Sequence, residues 1–132
     1  MTSILLIDDE PDIRDSVGRV LGRDGHSVHA SENAEAGLRY LEDNQIDVVI
    51  ADLIMPGING VEAIKKIREL YSGVKVIAIS GGGNFGSTAY KPNAIATSAY
   101  LEAASNAGAD FVLTKPFEVQ VLLDAIEAVM TN

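Results

Sequence analysis

The chain has 132 residues, a formal net charge of −9 and no cysteine. That length suits one domain with a real core, and 47% apolar residues argue for a compact globule over a disordered tail. The absence of cysteine excludes disulfides and thiolate metal sites, and the acidic balance disfavours direct binding to a phosphate-rich polymer.

In chain order, Ser3 to Ile7 (SILLI) reads as a short buried strand. A helix follows, with Ile13, Val17, Val20 and Leu21 at helical spacing, Pro11 in its first turn and Gly25 at its end. HSVHA (26–30) reads as a second strand and NAEAGLRYLEDN (33–44) as a second helix with Leu38 and Leu41 inward. IDVVIAD (46–52) is a strongly apolar third strand. GVEAIKKIREL (60–70) carries Val61, Ile64, Ile67 and Leu70 on one helical stripe. VKVIAIS (74–80) is the fourth strand, ATSAYLEAASNAGA (96–109) a helix, DFVLTK (110–115) the fifth strand and EVQVLLDAIEAVM (118–130) the last helix. Strict strand–helix alternation predicts an α/β fold, a doubly wound five-stranded parallel sheet covered on both faces. The opening residues lack a secretory pattern, and no apolar run reaches the ~20 residues that span a bilayer. A cytoplasmic, membrane-free protein forming a single domain over residues 1–132 is expected.

In such a sheet chemistry collects beyond the carboxyl ends of the strands. Strand one ends in Asp8-Asp9-Glu10, strand three in Asp52, strand four in Ser80 and strand five in Lys115. Any one of these alone could be a helix cap or a turn former; together they place acids, a hydroxyl and a lysine at one rim. Two carboxylates about 4 Å apart repel by roughly 4 kcal/mol at an effective dielectric of 20. Compensation must come from Lys115 and from a hard divalent ion, and donors without sulfur or imidazole point to Mg²⁺. An aspartate held beside Mg²⁺ and a lysine can attack a phosphoryl group and carry it as an aspartyl phosphate.

The pieces LLIDDEP, DLIMPGINGVEAI, the strand-end Ser80 and FVLTKPF resemble the response-regulator receiver domains of two-component signalling, over essentially the whole chain. The resemblance implies the flavodoxin-like (βα)5 fold with strand order 2-1-3-4-5. It implies Asp52 as phosphoacceptor, Asp9 and Asp52 as direct Mg²⁺ ligands, Asp8 helping through water, and the backbone carbonyl of Ile54 completing the protein's share. Ser80 would bind the phosphoryl group and Lys115 would pair with it, while Met55-Pro56-Gly57 and Gly60 shape the turn after the acceptor. The implied activity is a signalling switch, not an enzyme beyond promoting its own phosphorylation and dephosphorylation. Its implied partners are a histidine kinase or phosphotransfer protein and a downstream protein target, with no nucleic acid. It would act as a stand-alone receiver or as a relay intermediate. The competing readings are a flavin- or nucleotide-binding protein of the same architecture and a receiver-like module that never takes phosphate.

Three local features bear on these alternatives. Gly81-x-Gly83-x-x-Gly86 has dinucleotide-loop spacing, but it follows the fourth strand instead of the first and lacks the acid that should end the next strand. Lys115 follows Ser80 by 35 positions, longer than the family pattern by about a dozen residues, so an extended β4–α4 region around GNFGSTAYKPNAI is expected. Where the family places an aromatic residue three before the lysine, this chain has Val112, with Phe111 beside it and Phe85 or Tyr90 as candidate substitutes. His26 and His29 are too few ligands for a zinc site.

Overall fold

A computed structural model of the chain describes residues 2–53, 60–80, 102–115 and 117–131, with Ser80 described by its backbone alone. The strands are β1 (Ser3–Ile7), β2 (Ser27–Ser31), β3 (Val48–Asp52), β4 (Lys75–Ser80) and β5 (Phe111–Thr114). The helices are α1 (Pro11–Arg23), α2 (Ala34–Asp43), α3 (Gly60–Leu70), helical residues 102–107 (α4) and α5 (Val119–Met130). All strand pairs are parallel and the order is β2-β1-β3-β4-β5.

The side-chain alternation of the three central strands sorts the core into two layers. Leu5, Ile7, Val49, Ala51, Val76 and Ala78 face one side, with Leu41 of α2, Ile64 and Ile67 of α3 and Ala104 of α4. Ile4, Leu6, Val48, Ile50, Ile77 and Ile79 face the other, with Leu21 of α1 and Leu122, Ile126 and Val129 of α5. Because both faces are covered, these strands are apolar throughout their centres, over residues 4–7, 48–51 and 76–79. Each fully buried Leu or Ile contributes about 1.5–3 kcal/mol. The chain steps from β1 to β2 in one direction and from β2 over β1 to β3 in the other. Right-handed crossovers therefore require α1 and α2 to lie on opposite faces.

Several boundaries follow local chemistry. Pro11 opens α1, and Gly25 lies at φ 91°, where a side chain would be strained. Asn33 caps α2 by accepting from Ala36 N at 2.8 Å. The fourth helix ends two residues before the predicted Ala109, because Gly108 turns the chain at φ 117°. There Arg68 of α3 donates through Nε to Gly108 O at 2.7 Å and through Nη1 to Val74 O at 2.6 Å, and pairs with Asp110. One guanidinium thus ties α3, the entry to β4 and the α4–β5 turn together.

Two expectations need correction. Leu70 is 67% exposed, not on the buried stripe. Steps of three residues drift about 60° each around a helix, so Leu70 lies about half a turn from Val61. His26 precedes β2 instead of belonging to it; its Nε2 lies 3.2 Å from Asp24, while His29 stacks on Tyr40 with ring centroids 3.7 Å apart. The two histidines therefore have separate partners. Among the described residues, no helix is long and apolar enough to cross a membrane. The extended segment after β4, including Gly81, Gly83, Gly86, Phe85 and Tyr90, lies outside the described residues.

Candidate phosphoryl-acceptor site

The strand order reverses direction between β1 and β3, and their carboxyl ends open a crevice there. Asp8 is the first residue after β1. Its N–H donates to Ser31 O at 3.1 Å, extending the β1–β2 pairing by one step, and it is fully buried. Asp52 ends β3 and is 5% exposed, while Asp9 is exposed at the mouth. Carboxylate oxygens from Asp8, Asp9 and Asp52 all lie within 4.8 Å of one another. Lys115, one residue beyond β5, reaches past β4 to place Nζ 3.2 Å from Asp52 Oδ2 and 3.4 Å from Asp8 Oδ2.

The burial of this cluster has a physical cost that fixes its partners. At an effective dielectric of 20, each carboxylate pair at this spacing repels by roughly 3–4 kcal/mol, and one ammonium cannot cancel all of it. Backbone and side-chain donors help: Glu10 N donates to Asp8 Oδ1 at 2.9 Å, and Arg14 Nη1 donates to Asp8 O at 2.8 Å. The remaining imbalance suits a small, hard dication. The donors are oxygens alone, from residues at two neighbouring strand ends, which is the chemistry of a Mg²⁺ site.

Lys115 records the same balance. Burial by itself lowers its pKa, but Asp52, then Asp8, the hydrogen bond to Asp52 and the more distant Glu10 raise it above its ordinary 10.5. A folded-state pKa above the unfolded one contributes stability that is complete below pH 10.5 and is lost as pH rises through the folded value. The denaturation midpoint is therefore expected to fall as pH climbs above about 10.5, and to fall less steeply in Lys115→Met. Chemical denaturation of both proteins between pH 8 and about pH 12 checks this; parallel curves would exclude the coupling.

The structure brings together Asp8, Asp9, Asp52 and Lys115. Ser80 ends β4, with its backbone paired to Thr114 next to Lys115, but its side chain, Ile54 and Pro116 fall outside the described residues. Val112 packs against the layer formed by α2–α4, and Phe111 is 38% exposed. Among the described residues no aromatic side chain takes the place three before Lys115. Two contacts escaped sequence reading. Glu10 was visible beside the aspartates without a role, and Arg14 lay six residues from Asp8, with no signal except its place in the first turn of α1.

Fold and site together define a receiver. The family of response regulator receiver domains matches residues 4–127, and the chain belongs to that family. Receiver domains serve two-component systems, and aspartate phosphorylation is typical of them. The chain is 33% identical over 130 residues to the heme response regulator HssR of Staphylococcus saprophyticus, covering 98% of this chain and 52% of that protein. It is 32% identical over 125 residues to the transcriptional regulatory protein FixJ of Rhizobium meliloti, covering 95% and 55%. It thus spans about half the length of these relatives. Among solved structures, a CheY-like receiver domain from Methanospirillum hungatei matches with a TM-score of 0.84 at 27% identity, over 99% of this chain and 94% of that one. The Thermotoga maritima response regulator TrrA, in complex with Mg²⁺ and BeF, matches with a TM-score of 0.75 at 29% identity, over 97% and 98%.

Proposed function

We propose that residues 1–132 form one receiver domain that accepts a phosphoryl group on Asp52, in a Mg²⁺-dependent reaction, from a histidine kinase or a histidine phosphotransfer protein. The observation that carries this reading is the Lys115 ammonium 3.2 Å from Asp52 Oδ2, beside oxygens of Asp8 and Asp9. An oxygen of Asp52 forms the new O–P bond as the P–N bond of the donor phosphohistidine breaks, and the electron pair and a proton end on the donor imidazole. Lys115 holds positive charge against the transferring oxygens. Asp9, Asp52 and the Ile54 carbonyl would hold Mg²⁺ directly. Asp8 would act through water, in keeping with the engagement of both its oxygens by Glu10 N and Lys115. When bound, the ion supplies the charge that spreads the negative charge of the group in transfer. Ser80, at the end of β4, would receive a phosphoryl oxygen on its hydroxyl. The domain promotes only its own phosphorylation and dephosphorylation, works in the cytoplasm, and signals by protein contact or as a relay intermediate.

Incubation with an acyl phosphate and Mg²⁺ tests the reading. The intact mass is expected to rise by one phosphoryl group, and borohydride reduction is expected to convert Asp52 to homoserine. Homoserine at another position would move the acceptor, and no mass change at saturating Mg²⁺ would remove the function.

A further inference from the structure

Glu10 occupies the N-cap position of α1, yet its side chain makes no capping hydrogen bond. Glutamate is not among the short side chains that cap from this position. Pro11 disfavours helical backbone at the residue before it, and Glu10 is held extended at φ −93°, ψ 117°. In that conformation its backbone N–H binds Asp8 Oδ1, and its carboxylate Oε2 stands 3.9 Å from Lys115 Nζ. Lys115 is therefore shared by three carboxylates, of which Glu10 is the outermost, its side chain 39% exposed while those of Asp8 and Asp52 are buried. The ammonium lies 3.9 Å from Glu10 on one side and 3.2 Å from Asp52 on the other, so the two carboxylates are within about 7 Å of each other. Glu10 is thus a partly exposed negative charge close to Asp52.

We infer that Glu10 sets phosphodonor selectivity, disfavouring small dianionic acyl phosphates relative to donors with less net negative charge. The inference rests on Asp52 being the acceptor. It follows from counting charge at the mouth. Asp8, Asp9, Asp52 and Glu10 carry four negative charges, and Lys115, Arg14 on the Asp8 carbonyl and one bound Mg²⁺ carry four positive ones, so Glu10 cancels the positive charge that the loaded site would otherwise present to an anionic donor. Glu10 repels a dianionic donor twice as strongly as a singly charged one. A phosphohistidine carried on a protein brings its own neighbouring charges, which can offset the repulsion. Transfer from an acyl phosphate forms the Asp52 O–P bond and breaks the donor's P–O bond, the electron pair leaving with the donor carboxylate. Glu10 takes no part in that exchange and acts only as a fixed charge near Asp52.

The test compares Glu10→Gln and Glu10→Asp with the unsubstituted chain, each at Mg²⁺ saturating for that protein as set by calorimetry. The initial rate of mass increase is read with acetyl phosphate, a dianion, and with phosphoramidate, which carries one net negative charge. For a charge about 7 Å from the phosphoryl group, Glu10→Gln is expected to speed acetyl phosphate labelling about five-fold near 10 mM ionic strength and about two-fold near 150 mM. With phosphoramidate at low salt the gain is expected to be about two-fold, and Glu10→Asp is expected to stay slow with both donors. Equal gains with both donors, a gain independent of salt, or no gain overturns the inference. Absence of labelling in the unsubstituted chain overturns the acceptor reading instead.

Discussion

Asp52→Asn is expected to take up no phosphoryl group from an acyl phosphate, and in metal-free buffer to melt about 5 °C above the unsubstituted protein. The loss of uptake follows from chemistry, since an amide oxygen is too weak a nucleophile to form the O–P bond. The gain in stability follows from the geometry of the cluster. Asp52 is 5% exposed and shares a space with Asp8 and Asp9 in which carboxylate oxygens lie within 4.8 Å. Removing its charge removes two repulsions of roughly 3–4 kcal/mol each at a dielectric of 20, and gives up one attraction of about 5 kcal/mol to Lys115. The surplus comes to about 1–3 kcal/mol in favour of the amide, and relief of the charge's burial cost adds to it. Mg²⁺ is expected to narrow the difference, because the ion relieves the same repulsion in the unsubstituted protein. Intact-mass labelling and thermal melts with and without Mg²⁺ check both halves. Labelling that survives would place the acceptor elsewhere, and a lower metal-free melting temperature would show that repulsion does not dominate this cluster.

Gly60→Ala is expected to destabilise the fold by about 2–3 kcal/mol and to slow phosphoryl uptake about a hundred-fold. Gly60 opens α3 directly against the end of β3, with its N–H 3.2 Å from Leu53 O. A Cβ there would lie 2.5 Å from Asp52 O, 2.5 Å from Leu53 Cα and 3.1 Å from Asp52 C. All three are backbone atoms, so no side chain can swing aside, and either α3 or the strand end must move. Since Asp52 is at that strand end, its carboxylate moves relative to Lys115, which is anchored from β5. A displacement of a reacting group by about 1 Å is enough to cost about a hundred-fold in rate. Chemical denaturation gives the first number, and labelling rates measured well below the melting transition give the second. Unchanged values in both would mean that the helix–strand approach is looser than the structure shows.

Much of this protein was legible from residue order. The alternation of SILLI, IDVVIAD and VKVIAIS with amphipathic helices predicted a two-sided parallel sheet, because strands buried on both faces read as near-continuous apolar runs. The acids and the lysine at the strand ends were legible for the same reason: the ends of apolar runs are countable. Other features were not. HSVHA resembles a short strand anywhere, and only the fold makes β2 an edge, with Val28 half-buried and His29 and Ala30 exposed. Leu70 read as core until its angular position on α3 was seen.

The sequence by itself determined which residue types stand at the strand ends, since local periodicity sets where a strand stops. Only the tertiary structure decided that Lys115 reaches across β4 to Asp52, that Glu10 turns toward the same ammonium, and that Gly60 leaves no room beside Asp52. Those depend on which strands are neighbours and on contacts between residues as many as 107 positions apart. Local pattern carries no information about distances across the sheet, and it is those distances that make four carboxylates and one lysine into a single electrostatic unit.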